Sequence, residues 1–224
     1  MTSPTNLRLR NIKVLQPTIE RDVHPSVISR EKRLLDILGA IVGLTIAAMI
    51  AIPIAIAMWF DDPGNIFYGQ TRCGLDGKPF KIWKFRSMIA DADKKKHLVE
   101  NQAKGHIFKN ENDPRITRVG HFLRRTSLDE FPQFWNVLKG DMSLVGTRPP
   151  TTDEVAMYDI HHFQRLKVKP GITGEWQVRG RSQVLDFDNI VQMDVDYQKK
   201  WSLFYDLHLL IQTVAVVLAR KGAC

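Results

Sequence analysis

Cysteine is scarce in this 224-residue chain, with one residue at Cys73 and the other at the last position, Cys224. Two cysteines cannot build a disulfide framework, so a reducing compartment is the simpler expectation. The cysteines and histidines show no zinc-like spacing. The chain also lacks a Walker loop, a dinucleotide-binding fingerprint and an internal repeat. These absences argue against a disulfide scaffold, a zinc module and the common nucleotide-binding folds.

The charge is unbalanced toward the positive side. There are 32 Lys and Arg residues against 24 Asp and Glu residues, which gives a formal net charge of +8. Such a surplus favours anionic partners such as phospholipid, nucleic acid or phosphorylated small molecules, and charge alone does not choose among them. The length suits one domain with a sizeable core, so we expect one function on one scaffold.

The longest apolar run extends from Ile37 to Phe60 and contains no charged residue. It is long enough for a membrane-inserted helix. A buried core helix of this length usually keeps a polar stripe, and only Thr45 offers one here. We therefore predict a polar N-terminal arm over residues 1–29, a membrane helix over 30–60 and a soluble domain over 61–224.

The membrane helix can either cross the bilayer or enter it and return. Basic residues precede it, so a straight crossing would put everything after residue 60 outside the cytoplasm under the positive-inside rule. Pro53 lies inside the run, where it removes a backbone hydrogen bond and kinks the helix. The bend favours a re-entrant helix with both termini cytoplasmic, although Pro-kinked spanning helices keep the alternative open.

The rest of the chain indicates an α+β domain that is mainly helical with a short β element. Residues 80–86 alternate as a strand does, which places Lys84 and Arg86 on one face. Apolar residues over 116–123 recur at helical spacing among arginines. An apolar stripe over 203–218 predicts a C-terminal amphipathic helix, either at the bilayer interface or packed on the core.

Two adjacent acids, Asp129 and Glu130, follow the basic helix. Ser127 and Glu130 have the spacing of a capping box, whereas Pro132 argues for a later helix start. Spacing alone makes helix capping the better explanation of the two acids. The basic residues that can join them in space are Lys84, Arg86, Arg124, Arg125 and Arg148. With those cations near a bound phosphate, Asp129 becomes a candidate nucleophile and Glu130 a candidate metal ligand.

Two glycine-containing loops, residues 140–150 and 169–174, offer backbone donors to an anion, as does Gly180 before Arg181. On physical grounds a role as turns is the first interpretation of these loops, and phosphate binding is the second.

Five motifs stand in an order that is recognisable as a set. They are Lys84-Phe85-Arg86-Ser87-Met88, Arg115-Ile116-Thr117-Arg118-Val119-Gly120, Leu128-Asp129-Glu130-Phe131-Pro132-Gln133, Asn136-Val137-Leu138-Lys139-Gly140-Asp141-Met142-Ser143 and Lys169-Pro170-Gly171-Ile172-Thr173-Gly174. From about residue 32 to residue 222 the chain resembles the bacterial sugar transferases, the monotopic polyprenyl-phosphate phosphoglycosyl transferases. That family has a re-entrant helix, in agreement with the interpretation of Pro53.

The resemblance implies a ping-pong reaction in the domain over 61–224. Asp129 would attack the nucleotide sugar and become a phospho-sugar aspartate, and the carrier phosphate would then attack that intermediate. Glu130 would bind Mg²⁺ in the family's Asp-Glu dyad. Residues that match phosphate- or nucleotide-binding positions, or lie in matching motifs, are Lys84, Arg86, Arg124, Arg148 and Arg181.

The partners implied by the resemblance are a UDP-sugar, undecaprenyl phosphate and inner-membrane lipid, with no nucleic acid, at the cytoplasmic face of the bacterial inner membrane. A homodimer stays open. The stretch 176–181 resembles members that start exopolysaccharide or O-antigen chains with a plain hexose, for which we expect galactose or glucose.

Two positions depart from the family pattern. Ile52 stands where many members have Ser before the proline, and Thr147 replaces the usual Pro before Arg148.

Two other functions stay open as well. One is a membrane-tethered protein that binds anionic lipid or nucleic acid without chemistry, and the other is a metal-dependent phosphatase or phosphodiesterase acting on lipid phosphates.

Overall fold

The computed structural model describes residues 23–108, 110, 112–179, 184 and 186–219. The α-helices are α1 (Pro25–Ile28), α2 (Arg30–Asp61), α3 (Arg118–Thr126), α4 (Phe134–Lys139), α5 (Thr152–Ala156), α6 (Glu175–Arg179), α7 (Phe187–Lys200) and α8 (Leu203–Leu218). The strands are β1 (Phe67–Cys73), β2 (Pro79–Phe85), β3 (Ser143–Val145) and β4 (Gly171–Thr173). Short 3₁₀ helices are Leu75–Gly77, Lys96–Leu98, Leu128–Gln133 and Ile160–Lys167. The mixed, mainly helical class is confirmed, and the predicted arm lies outside the described residues as far as residue 22.

Helix α2 packs one face against the domain along its length. It begins where the Ser29 hydroxyl accepts a hydrogen bond from the Lys32 amide at 3.1 Å, and it continues through Pro53 to Asp61. Its buried residues recur at intervals of three, four or seven positions, which is the spacing of one helical face. They are Lys32, Asp36, Ala40, Gly43, Ala47, Ile54 and Met58. A Cβ atom on Gly43 would lie 2.3 Å from Cγ of Phe134, so the contact with α4 requires glycine there.

Both ends of α2 are bonded to the same domain. At the start, Lys32 Nζ lies 2.5 Å from Asp206 Oδ2 in α8, and Arg33 donates to the Val137 carbonyl in α4 at 2.7 Å. At the end, Asp61 Oδ2 accepts a hydrogen bond from the amide of Val119 in α3 at 2.7 Å. The domain therefore holds both ends of the helix.

The opposite face of α2 is apolar and exposed. Exposed fractions reach 71% at Met49, 70% at Ile52 and 83% at Phe60. Within the described part of the chain, α2 is also the helix long and apolar enough to cross a membrane. Exposed apolar surface of this extent in a folded chain marks an interaction site, and together with the length of the helix it indicates membrane association.

Helix α8 packs one face on the core and exposes another, so it combines the two locations that the sequence left open. Asp206 and Leu209 are buried in the domain, whereas Phe204 is 84% and Ile211 71% exposed. The predicted apolar stripe thus contributes to the exposed surface, and a second face packs on the core.

Two small sheets shape the domain. Strand β2 confirms the strand predicted over 80–86, and it pairs with β1 in an antiparallel hairpin that sets Lys84 opposite Tyr68. Strands β3 and β4 form a parallel pair, with Ser143 opposite Gly171. The two glycine-containing loops are therefore drawn into the interior, where β3 is wholly buried.

Candidate active site

The Asp129–Glu130 pair lies in the 3₁₀ helix that precedes α4. The capping-box interpretation is wrong, because Ser127 has a left-handed φ of 57° and its side chain makes no cap hydrogen bond to this helix. Glu130 N instead donates to the Ser127 carbonyl at 3.2 Å. The two acids occupy the first turn of the 3₁₀ helix, and Pro132 is accommodated three residues after Asp129. Helix capping by Ser127 therefore does not explain why the acids are there.

Lys84 of the hairpin bridges the two carboxylates. Its Nζ lies 2.9 Å from Glu130 Oε1 and 3.9 Å from Asp129 Oδ2. The contact depends on Asn136 in α4, which is fully buried, donates to the Lys81 carbonyl at 2.7 Å and accepts from the Trp83 amide at 3.2 Å. These bonds fix strand β2 against the helix that follows the acids.

Burial dominates the electrostatics of Asp129, which is only 6% exposed. Removal from water raises the pKa of Asp129 from 3.8 to about 6, with the negative charge of Glu130 also raising the pKa and Lys84 and Arg124 opposing the shift. About nine-tenths of Asp129 is still ionised at pH 7. The carboxylate is thus charged but poorly solvated, which are the properties of a reactive nucleophile.

Arg124 joins the site from the last turn of α3. Its Nε donates to the Ser87 hydroxyl at 2.9 Å, which ties the guanidinium to the segment that follows β2. The positive charge acts on Asp129 by lowering its pKa. Lys84 and Arg124 therefore place two cations beside one buried carboxylate, an arrangement suited to an anionic substrate such as a phosphate ester.

The chain matches the bacterial sugar transferase family over residues 27–220. It is 52% identical over 194 residues to the galactosyl transferase CpsE of Streptococcus agalactiae, with 86% of this chain and 43% of that protein covered. It is 46% identical to the undecaprenyl-phosphate galactose phosphotransferase of Salmonella typhimurium, covering 86% of this chain and 41% of the relative. The chain belongs to the bacterial sugar transferase family.

The chain spans about two-fifths of these first relatives, but other relatives are shorter. The exopolysaccharide production protein ExoY of Rhizobium meliloti is 38% identical over 201 residues, which cover 86% of this chain and 87% of ExoY. Transferases are enzymes, so the family assigns the chain to an enzyme class and the resemblance found in its motifs is confirmed.

Arg148 lies in a separate buried group in this sugar transferase. Its guanidinium donates to both carboxylate oxygens of Glu154, at 2.9 and 3.1 Å, and lies over the ring of Trp176. The departure at Thr147 is accommodated, because its hydroxyl donates to the Arg165 carbonyl at 3.2 Å.

Arg72 accompanies Arg148 and was missed by sequence reasoning. Burial and the nearby charge of Arg148 lower the pKa of Arg72 to about 10, while Glu154 and, more weakly, Glu130 oppose the shift. Arg72 shares a face of the hairpin with Tyr68 and with Lys84, the residue paired to Tyr68. Alternation along β1 is the one sequence signal that would have placed Arg72 on the side of the acids.

Arg86, a predicted phosphate-binding residue, bonds to the end of α2 and to the start of the hairpin. Arg86, just beyond β2, pairs with the Asp62 carboxylate and donates to the Asn65 carbonyl at 2.7 Å, so it links the end of α2 to the hairpin. Arg181 lies outside the described residues.

His162 has a structural role of its own. His162 Nδ1 accepts from the Asp159 amide at 3.0 Å, and its Nε2 lies 2.9 Å from Asp188 Oδ1. His161 and Asp159 come close enough to His162 to offer ligand atoms within 4.8 Å, but both ring nitrogens of His162 are already engaged.

The acids fit a divalent cation by their donor chemistry. Carboxylate oxygens are the hard donors that Mg²⁺ prefers, and Mg²⁺ commonly takes one or two of them and completes its shell with water and substrate phosphate. The Glu130 side chain is 33% exposed and so is open to such a ligand, while Asp129 beside it is nearly buried.

Proposed function

We propose that this chain transfers a hexose-1-phosphate from a UDP-sugar to undecaprenyl phosphate at a membrane surface, with Asp129 as the covalent nucleophile. The observation that carries the proposal is the buried Asp129 carboxylate, with its pKa raised to about 6 beside Lys84 and Arg124. The names of relatives supply the substrate class, since one is a UDP-glucose:undecaprenyl-phosphate glucose-1-phosphate transferase.

The first half of the reaction joins the sugar phosphate to the protein. An Asp129 carboxylate oxygen attacks the phosphorus that carries the sugar, and the bond from that phosphorus to the bridging oxygen breaks. The electron pair leaves with UMP, and the Asp129 carboxylate becomes an acyl phosphate that carries the sugar. Lys84 and Arg124 stabilise the charge on the phosphate oxygens as the new bond forms.

The second half returns the carboxylate. A phosphate oxygen of the undecaprenyl carrier attacks the same phosphorus, the acyl-phosphate P–O bond to Asp129 breaks, and the product is the lipid-linked diphosphosugar. Glu130 would hold Mg²⁺, which when bound neutralises phosphate oxygens. Arg148 and Arg72 share the single carboxylate of Glu154, so this group keeps a net positive charge, which we assign to the nucleotide part of the donor.

The bonds at both ends of α2 support a re-entrant helix. A helix of 32 residues is about 48 Å long if straight, more than the roughly 30 Å of bilayer hydrocarbon, so a crossing would separate its ends on opposite sides. Lys32 and Asp61 both bond to one domain, which favours entry and return on one side with the bend at Pro53. We propose that this side is the cytoplasmic face of the inner membrane.

The choice of sugar follows the relatives. Galactose is named for the Streptococcus and Salmonella proteins and glucose for an Escherichia coli relative that is 42% identical. We propose galactose or glucose, carried into exopolysaccharide or O-antigen synthesis.

The test is UMP release from UDP-galactose and UDP-glucose in the presence of undecaprenyl phosphate. Wild type should release UMP and form lipid-linked diphosphosugar, whereas Asp129→Asn should do neither. Asp153→Asn, at an exposed carboxyl in α5, is the matched control and should stay active. Free sugar phosphate as the main product would indicate a hydrolase, and no turnover by wild type would indicate a binding protein.

A further inference from the structure

Two cations converge on a bare point of the backbone at the end of α4. Gly140 ends that helix with a left-handed φ of 91°. A Cβ atom placed on Gly140 would lie 3.6 Å from Arg33 Nη2 and 3.6 Å from Lys169 Nζ. Because glycine has no side chain, Arg33 and Lys169 both approach the backbone closely at this point. Asp129 lies beyond the other end of α4, so this pair is separate from the candidate active site.

Arg33 is held in place, whereas Lys169 is not. The Arg33 guanidinium donates to the Val137 and Leu138 carbonyls at 2.7 and 2.6 Å. Lys169 is half-buried, and its Nζ has no hydrogen bond or ion pair among the residues that the structure describes. Burial, followed by repulsion from Arg33, lowers the pKa of Lys169, while the carboxylates of Asp36 and Asp141 oppose the shift. A half-buried ammonium without a partner is unfavourable unless an anion joins it.

The nearby carboxylates are committed to other groups. Lys32 pairs with Asp206, and Lys139 pairs with Asp141, each at 2.5 Å. Asp36 accepts from the Ser143 hydroxyl and from the Leu144 amide, both at 2.8 Å. Hydrogen bonds do not cancel the charge of Asp36, which also attracts Lys169. The cations Lys32, Arg33, Lys139 and Lys169 still outnumber the three carboxylates, so the local charge stays positive.

The position of the pair indicates which anion it meets. Arg33 belongs to the first turn of α2, and the apolar face begins beside it with Leu34, 58% exposed, and Leu38, 55% exposed. Basic residues at the start of a membrane-inserted helix lie at the depth of lipid headgroups. Arg and Lys together are a common pair of ligands for phosphate oxygens.

We propose that Arg33 and Lys169, which come together beside Gly140, bind the phosphate group of a membrane lipid. The phosphate completes the coordination of Lys169 and anchors the start of α2 at the bilayer surface. The same phosphate chemistry is offered by an anionic phospholipid of the bilayer and by the polyprenyl carrier, and binding measurements separate the two. The proposal concerns binding alone and holds or fails independently of the transfer reaction.

The experiment is native mass spectrometry of the full chain in detergent, titrated separately with phosphatidylglycerol and with undecaprenyl phosphate. Lys169→Gln removes one cation without removing a hydrogen bond, and Lys167→Gln is the matched control at an exposed lysine two residues away. Lys169→Arg keeps the charge. We expect Lys169→Gln to bind at least one of the two lipids about fivefold more weakly, as for the loss of one cation near anionic lipid. Lys167→Gln and Lys169→Arg should bind as wild type does.

The pattern of loss identifies the lipid. Weaker binding of phosphatidylglycerol alone assigns the site to bilayer lipid, and weaker binding of undecaprenyl phosphate alone assigns it to the carrier. Weaker binding of both lipids supports a site for lipid phosphate in general. If Lys169→Gln and Lys167→Gln bind both lipids equally, the proposed site does not exist.

Discussion

Replacing Asp129 with Asn is expected to abolish transfer and, at the same time, to stabilise the fold. Asn has the same shape as Asp but carries no charge, so it removes the nucleophile and also the cost of burying an ionised carboxylate. Activity should fall to below about 0.1% of wild type, since the loss of a covalent nucleophile typically costs several powers of ten. A merely structural Asp129 would not combine these two effects.

The size of the stabilisation follows from the pKa of Asp129. The folded-state pKa of about 6 lies above the value of 3.8 expected in the unfolded chain. Because the folded-state pKa is raised, Asp129 costs the fold no stability below pH 3.8, where it is protonated in both states. The cost appears as the pH rises and is complete above pH 6. The rise in pKa from 3.8 to about 6 corresponds to a loss of about 3 kcal/mol in the free energy of unfolding above pH 7. At pH 5 the loss is roughly half as large. The Asp129→Asn variant is free of this penalty at every pH.

Thermal unfolding in one detergent at one scan rate measures the difference. Asp129→Asn should raise the Tm by about 6 °C or more at pH 8 and by about half as much at pH 5, given a chain of this length. Asp153→Asn, the exposed control in α5, should leave the Tm difference between the two pH values unchanged. An Asp129→Asn variant that melts below wild type at pH 8 would refute the proposed electrostatics.

Three further outcomes are expected. The kcat/KM for the UDP-sugar should fall about tenfold per pH unit below a limb near pH 6, because protonation removes the nucleophile, and a flat profile between pH 5 and 7 would contradict this. Lys84→Met should move that limb to higher pH, since Lys84 opposes the rise in the Asp129 pKa, and should lower UMP release at pH 7 by about 100-fold. Lys81→Met, on the other face of β2, is the control and should change UMP release little. Gly43→Val should destabilise the fold by about 2 kcal/mol, because the new side chain would collide with Phe134. Ala48→Val, on the exposed face of α2, is the control, and equal Tm values for the two variants would contradict close packing at Gly43.

Periodicity and charge predicted the elements whose local pattern agrees with their environment. The apolar run gave the position of α2, alternation gave β2, and the arginine-rich and C-terminal helices appear as α3 and α8. The acids were placed correctly at the first turn of a helical segment. In each case a single stretch of sequence contains the information.

The remainder depends on contacts that no single stretch contains. Ser127 adopts a left-handed conformation because it joins α3 to the 3₁₀ helix, so its capping-box spacing was misleading. The pairing of β3 with β4 joins three-residue strands from loops that are far apart in the chain. The high pKa of Asp129 required its burial, and the importance of Arg72 required its approach to Arg148.

The most direct test of the central claim is to trap the protein during turnover. Wild type would be incubated with a UDP-sugar labelled in the sugar, without the lipid acceptor, then quenched, digested and analysed by mass spectrometry. We expect a phospho-hexose adduct on Asp129, one UMP released per adduct, and loss of the adduct when undecaprenyl phosphate is added. Transfer to the lipid with no label on Asp129 at any time would contradict the account.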